Sequence, residues 1–223
     1  GDALTEANDN VVLGYSALAA DTLGSRSIAI GKSALSNQNF TSATNTYNVA
    51  VGHAAGGTIS TGTLNTFVGG LAGDALTVGG SNVSLGYFSL TADTKGSKSV
   101  AVGTAALGDQ NFTSATDAFN VAIGQEAGRS VTTGINNTLI GGLAGDALTD
   151  ADYNTVLGFN ALSADTLGSR AVAIGFEALN DQNFTSATDS YNIAIGFNAG
   201  CKVTTGVNNT LIGGLAGDAL AAS

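Results

Sequence analysis

Short apolar segments that end at a glycine recur along the whole chain. In each repeat an aliphatic residue directly precedes the glycine, and Val, Ile or Thr stands two residues before that aliphatic residue. Ala follows the glycine by three residues in every repeat but one, where Ser89 stands instead. A three-residue apolar run ending at glycine predicts a short β-strand followed by a bend, and the small residue predicts closely packed backbones. No segment carries a sustained helical period.

The repeats follow one another at fixed intervals, which can be counted from twelve marker glycines. Their spacings are 17, 21, 17 and 17 residues, and this series recurs, so that twelve repeats form three copies of a 72-residue block. Fixed periods of this length are typical of solenoids, in which each repeat is one coil that stacks on the next. The sequence therefore predicts an all-β protein, a parallel β-solenoid of about twelve coils. The marker glycines, each expected to begin a corner of its coil, are Gly14, Gly31, Gly52, Gly69, Gly86, Gly103, Gly124, Gly141, Gly158, Gly175, Gly196 and Gly213.

The repetition extends over the whole chain, which predicts one repetitive domain covering residues 1–223. Its blocks cover residues 1–72, 73–144 and 145–216, and residues 217–223 begin a fourth. The first residues, GDALT, match the middle of the repeated phrase GGLAGDALT, so we expect a fragment of a longer fibrous protein.

Asn opens nine of the twelve repeats, for example at Asn10, Asn48 and Asn65. In stacked coils, side-chain amides at one position can bond along the stack and fix the register of the coils. Alternatively, each Asn serves only its own turn. Both interpretations are structural.

The strand residues are apolar on both faces, so one apolar face is left over once the interior is filled. We assign the middle residue of the strand to this leftover face. Because extended exposed apolar stripes are rare in soluble monomers, a second chain is expected to cover it. A homotrimer is the preferred interpretation, ahead of a monomer or a dimer. The residues named for this face are Val12, Phe67, Leu139, Val156 and Leu211.

The phrases SIAIGKSAL, SVAVGTAAL, AVAIGFEAL and NVAVGHAAG resemble the head repeats of YadA-type trimeric autotransporter adhesins. They are equally similar to the repeats of viral and phage tail-fibre proteins, which also use phrases such as NNTLIG. The resemblance implies a left-handed parallel β-roll with three chains side by side. It also implies an extracellular location, on a virion surface or a bacterial cell surface.

The function expected from this resemblance is that of a rod-like shaft or head segment of a tail fibre or surface adhesin. Such a segment projects and presents host- or surface-binding sites. The uneven 17- and 21-residue repeats favour the fibre, because adhesin heads usually have shorter and more uniform repeats. One alternative is a glycan- or receptor-binding adhesin head. Ice binding is less favoured, because the strand threonines, such as Thr66 and Thr138, occur irregularly.

The 21-residue repeat carries four extra residues, within NQNFTSATNTYN and its two equivalents. Loops that project from a solenoid often form its binding surface, so the aromatic pair in each loop is a candidate receptor contact. Alternatively, these rings fold back over the coil or pack on a neighbouring chain. The candidate contacts are Phe40 and Tyr47, Phe112 and Phe119, and Phe184 and Tyr191. The same loops contain N-glycosylation sequons at Asn39, Asn111 and Asn183.

Composition and charge narrow the classes of partner. The chain has 32 glycines, no proline and a net charge of −10 with only seven basic residues, which argues against binding nucleic acid. Its apolar runs are too short to cross a bilayer, so we expect no membrane contact within this segment. The expected partners are further copies of the chain and a host cell-surface glycan or protein.

Candidate catalytic and metal-binding residues are few, and we expect no enzyme activity, no cofactor and no metal. Asp74 and its two equivalents fall in a phrase similar to a calcium-binding nonapeptide. They recur only every 72 residues, too far apart to share an ion. His53 has Gln125 and Phe197 at the equivalent positions, which argues against a catalytic histidine. Cys201 has no partner for an intrachain disulfide.

A charged pair recurs once per block, as Asp21 with Arg26, Asp93 with Lys98 and Asp165 with Arg170. The preferred interpretation is a solvated turn. The alternatives are an ion pair across the bend and a contact with a neighbouring subunit.

Overall fold

The structure is a computed structural model that describes residues 1–221, and within that range it contains β-strands and no helix. Twelve strands have three residues each: β1 Val11–Leu13, β3 Ile28–Ile30, β5 Val49–Val51, β6 Thr66–Val68, β7 Val83–Leu85, β9 Val100–Val102, β11 Val121–Ile123, β12 Thr138–Ile140, β13 Thr155–Leu157, β15 Val172–Ile174, β17 Ile193–Ile195 and β18 Thr210–Ile212. Six shorter strands accompany them: β2 Gly24–Ser25, β4 Thr44–Asn45, β8 Gly96–Ser97, β10 Thr116–Asp117, β14 Gly168–Ser169 and β16 Thr188–Asp189. Every three-residue strand ends directly before a marker glycine, as predicted.

The chain divides into two compact units, the first with residues 1–105 and 111–118 and the second with residues 106–110 and 119–223. In the first unit β1, β3, β5, β6, β7 and β9 pair in chain order, always parallel. In the second unit β11, β12, β13, β15, β17 and β18 do the same. The prediction of an all-β parallel β-solenoid with about twelve turns is confirmed. The single-domain assignment stays a prediction.

The middle residue of each strand points into the solenoid, and the assignment of this position to the outer face was wrong. Phe67, Leu139 and Val156 are fully buried, and Val12 and Leu211 in the terminal coils are half-buried. The two flanking residues of each strand face outward instead. Side chains alternate along a strand, so the middle side chain points to the opposite face from its two neighbours. Alternation does not determine which of the two faces is enclosed, because that depends on the direction in which the following corner turns.

Glycine four residues after the marker glycine makes room for large side chains in mid-strand. Three of the six coils with Ala in mid-strand, such as the coil of Ala29, carry a buried Leu at this position, here Leu35, and the other three carry Gly. The coil with Phe67 in mid-strand has Gly73 there, and a Cβ on Gly73 would clash with the Phe67 ring. Gly56 in the preceding coil is restricted in the same way, because a Cβ added there would lie 2.7 Å from Phe67 Cδ2. This packing explains the last glycine of the phrase GGLAGDAL.

The 72-residue block has a physical basis in a second interior position, seven residues after the marker glycine. In the first four coils this position holds, in turn, Asp21, Gln38, Ile59 and Leu76, all fully buried. The equivalent residues of the last four coils are Asp165, Gln182, Val203 and Leu220. Each block therefore consists of two coils with a polar interior site, followed by two coils with an apolar one.

The Asn residues form hydrogen-bonded ladders, as the first interpretation predicted. In the first unit, Asn65 N donates to Asn48 Oδ1 at 3.0 Å, and Asn82 N donates to Asn65 Oδ1 at 3.0 Å. Each side-chain amide also donates within its own coil, as Asn65 Nδ2 does to the Gly79 carbonyl at 3.0 Å. Both interpretations therefore apply, because the same Asn side chain donates a hydrogen bond within its own coil and accepts one from the next coil.

Candidate functional site

The two aromatic rings of each inserted loop occupy opposite environments. Phe40, Phe112 and Phe184 are only 5–7% exposed, whereas Tyr47, Phe119 and Tyr191 are 48–51% exposed. The buried rings lie against the glycine that follows the buried Asp, so that a Cβ on Gly168 would come within 2.8 Å of Phe184 Cδ2. The first ring of each pair therefore folds back over the coil and serves packing. The second ring of each pair is the one that remains accessible to solvent.

A buried carboxylate holds each loop in place. In the third block, Asp165 Oδ1 accepts hydrogen bonds from Gly168 N and Phe184 N, both at 3.0 Å. Asp165 Oδ2 accepts from Gln182 Nε2 at 2.6 Å, and Gln182 Oε1 in turn accepts from Asn192 Nδ2 at 2.7 Å. Burial raises the pKa of the Asp165 carboxyl, and its hydrogen bonds oppose that shift only in part.

The ion pair across the bend, one of the alternatives, is not formed between Asp21 and Arg26 or between Asp165 and Arg170. Asp21, Asp93 and Asp165 are fully buried, so the preferred interpretation of a solvated turn was wrong for the carboxylates. The cations lie outside, where Arg26 approaches Asp9 at 3.6 Å and Arg170 approaches Asp189 at 2.6 Å. Sequence reasoning missed the role of Asp21. The signal that could have revealed it is the Gln38 repeated one coil later, a suitable donor to a buried acid.

Charged and polar groups lie on the loop surfaces, and in the first block they contact the exposed ring. The Arg26 guanidinium lies 5.6 Å from the centre of the Tyr47 ring and donates to its hydroxyl at 2.6 Å. In the third block Arg170 lies 4.9 Å from the Tyr153 ring centre. In the second block, Lys98 pairs with Asp117 at 2.7 Å. Aromatic, cationic and acidic groups therefore share the loop surface of each block, a combination suited to recognising polar ligands.

Among the residues that the structure describes, the titratable residues singled out in the sequence belong to no cluster that could hold a metal ion. Within residues 1–221 no cluster of three or more His, Cys, Asp or Glu side chains could hold a metal ion. His53 is exposed, and burial raises the pKa of the Cys201 thiol, which disfavours the nucleophilic thiolate. Burial also raises the pKa of Asp146, one of the calcium candidates, whereas Asp74 accepts a hydrogen bond from Thr91 Oγ1 at 2.5 Å.

An extended apolar surface is formed by the outward face of the main strands, defined by the first and third residue of each strand. In each unit all twelve of these positions hold Val, Ile, Leu or Thr, so the face contains no charged side chain. In the second unit the face is bordered by Phe159, Phe176 and Phe197, which are 50%, 42% and 55% exposed. Each of these rings follows a strand by two residues. Sequence reasoning missed this aromatic column.

In comparisons with known proteins, no family model, no curated protein and no solved structure matches the chain. Across the residues that the structure describes, no helix is long and apolar enough to pass through a bilayer.

Proposed function

We propose that this chain is a structural segment of a projecting attachment fibre, a shaft or head of a phage or viral tail fibre or of a surface adhesin. Its place would be outside the cell, on a virion or a bacterial surface, and it would act by presenting binding sites rather than by catalysis. The observation that carries this proposal is the in-register stacking of strands in both units. Stacked coils hold their surface groups at regular intervals, which suits a protein that presents repeated contacts.

The fibre is proposed to be a homotrimer of left-handed solenoids packed side by side, as the resemblance to adhesin heads and tail fibres implies. The outward strand face supports self-association. The chain as a whole has a net charge of −10, but the outward strand face carries no charged side chain. Neighbouring copies can therefore approach at this face without bringing carboxylates together. Extended apolar faces on soluble proteins usually mark a protein contact.

Sedimentation equilibrium at micromolar concentration tests this assembly, and three chains per particle are expected. Replacing Ile174 and Ile195 on the outward face by Lys should convert the trimer to monomers, because the charges would be buried without partners. Replacing Lys95 and Lys202, which lie outside the strand face, by Ala is the matched control and should leave the trimer intact. A monomeric wild-type protein would contradict the trimer.

Direct binding of a host glycan or protein through the loop surface is a second candidate. It is favoured by the three exposed rings Tyr47, Phe119 and Tyr191, each in a loop that recurs once per block. In a trimer this gives many copies of one weak contact, which raises avidity. Binding to a glycan array tests this function. Loss of binding when all three rings are replaced by Ala, with binding kept when Tyr15 and Tyr87 are replaced by Ala, would support it. Unchanged binding in the triple variant would exclude the three rings as the contact.

A further inference from the structure

The three blocks differ sharply at one surface position, the residue directly after the marker glycine. The first block has Tyr15, Lys32, His53 and Gly70 at this position, and the second has Tyr87, Thr104, Gln125 and Gly142. The third block has Phe159, Phe176, Phe197 and Gly214. The polar residues in the middle of this column are therefore replaced by phenylalanine in the third block alone.

The three phenylalanines form a continuous stack on the surface of the second unit. The Phe159 and Phe176 ring centroids lie 5.8 Å apart with an interplanar angle of 19°, and those of Phe176 and Phe197 lie 5.5 Å apart at 12°. Phe176 lies between the other two rings, and each of the three residues is about half exposed. A ring stacked on both faces does not offer the open face on which a sugar or a base would stack, whereas its edge can pack against an apolar protein surface.

The stack widens the outward strand face rather than forming a separate patch. Leu157, Ile174 and Ile195 are the last outward residues of β13, β15 and β17, and each precedes a stacked ring by two residues. Two residues of chain span at most about 7 Å, so the aliphatic and aromatic columns lie side by side.

The area of the combined surface fits a second protein chain. Three half-exposed rings offer about 300 Å², and twelve partly exposed strand residues add about 400 Å², which together approach the ~800 Å² per partner of a standard interface. Without the rings, the strand face of one unit offers only about half of that area. Exposed aromatic side chains are enriched among the hot spots of protein association.

We infer that the aromatic column of Phe159, Phe176 and Phe197, together with the adjoining strand face, is the anchor by which this chain binds further copies of itself. This inference rests on the proposed homo-oligomer and names the part of the chain that holds it together. The partner is a second copy, because the surface is uncharged, apolar and continuous with the strand face for which self-association is proposed. The first block, with Lys32 and His53 at the equivalent positions, contributes less to assembly.

The test exchanges residues between equivalent positions of the same chain. The variant Phe159→Tyr, Phe176→Lys and Phe197→His gives the third block the residues of the first. Its matched control, Thr104→Lys with Gln125→His, places the same two side chains in the second block. The residues come from equivalent coils, so both variants should fold, and circular dichroism with thermal melting checks that they do. The single variant Phe176→Lys gives an independent, smaller perturbation.

The assembly is measured by sedimentation over a range of protein concentrations. The third-block variant is expected to dissociate at a concentration at least about 100-fold higher than wild type, and the control within about 3-fold of it. An oligomeric wild type with an equally stable third-block variant would overturn the inference but leave the proposed fibre standing. A monomeric wild type would overturn both. Unchanged assembly with loss of binding to phosphatidylcholine vesicles would assign the column to a lipid surface and also overturn the inference.

Discussion

The substitution Asn137→Ala tests whether the Asn ladder stabilises the solenoid. Asn137 is fully buried in the second unit and makes three short hydrogen bonds. Its N–H donates to Asn120 Oδ1 at 2.9 Å, its Nδ2 donates to the Ala151 carbonyl at 2.7 Å, and its Oδ1 accepts from Asn154 N at 3.0 Å. Alanine keeps the first bond, which is made by the backbone, and removes the other two.

The expected loss of stability follows from the two groups left behind. The Ala151 carbonyl and the Asn154 N–H would remain buried without partners, at a cost of about 1–3 kcal/mol each. Partial relaxation reduces the sum, so we expect the free energy of unfolding to fall by about 2–5 kcal/mol. A chain of this size should then melt at a temperature lower by roughly 5–15 °C.

Unfolding in guanidinium chloride, followed by circular dichroism at a fixed protein concentration, measures the loss. The control is Asn37→Ala, the same chemical change at an exposed position, which should stay within about 0.5 kcal/mol of wild type. A second variant, Asn137→Asp, keeps the acceptor for Asn154 N but loses the donor to Ala151. It should be least destabilised at acidic pH, where a protonated carboxyl can donate. A loss for Asn137→Ala no larger than that of the control would refute the ladder as a source of stability.

Three further predictions concern the interior and the corners. Phe67→Ala should lower the free energy of unfolding by about 3–5 kcal/mol in denaturant titration, because loss of the fully buried ring leaves a cavity beside two glycines. A loss below about 1 kcal/mol would contradict the packing described. Gly69→Ala should lower the free energy of unfolding by more than about 3 kcal/mol in the same assay. The reason is that φ at this corner is +135° and the new Cβ would lie 2.5 Å from the Gly86 carbonyl oxygen. Near-wild-type stability would show that the corner can shift. Burial raises the folded-state pKa of Asp165, so the folded protein holds this proton more tightly than the unfolded chain. The contribution of Asp165 to stability should therefore fall as pH rises from about 4 through the raised pKa, and the pH profile of Asp165→Asn should be flatter than that of wild type. A steeper decline in the Asn variant would contradict that direction.

Much of the fold could be predicted because its causes are local and repeated. A residue such as Ile30 before Gly31 predicts the end of a strand wherever the pair occurs, and the constant spacing predicts that strands stack in register. The ladder of Asn48, Asn65 and Asn82 could be expected for the same reason, because identical side chains in stacked coils meet one another.

The candidate site was predicted less well, because local pattern does not determine burial in a loop. Phe40 and Tyr47 are both aromatic residues of one insertion, and nothing in their spacing distinguishes them. The distinction comes from Asp21, a residue of the preceding coil, whose carboxylate accepts the Phe40 N–H at 3.1 Å and draws that part of the loop inward. Tyr47 precedes the Asn of the next strand at a backbone φ of +51°, and its ring is half exposed.

The sequence by itself determined the number of coils, the position of each strand and corner, and the parallel stacking, since these follow from a glycine, an aliphatic residue and a small residue at fixed spacing. Only the tertiary structure decided which strand face is enclosed, which acids are buried and which aromatic residues align on the surface. The physical reason is that alternation fixes which side chains share a face, whereas the turn of each corner determines the side on which that face lies. Phe67 stands two residues before its marker glycine and is fully buried, whereas Phe176 stands directly after its marker glycine and is 42% exposed.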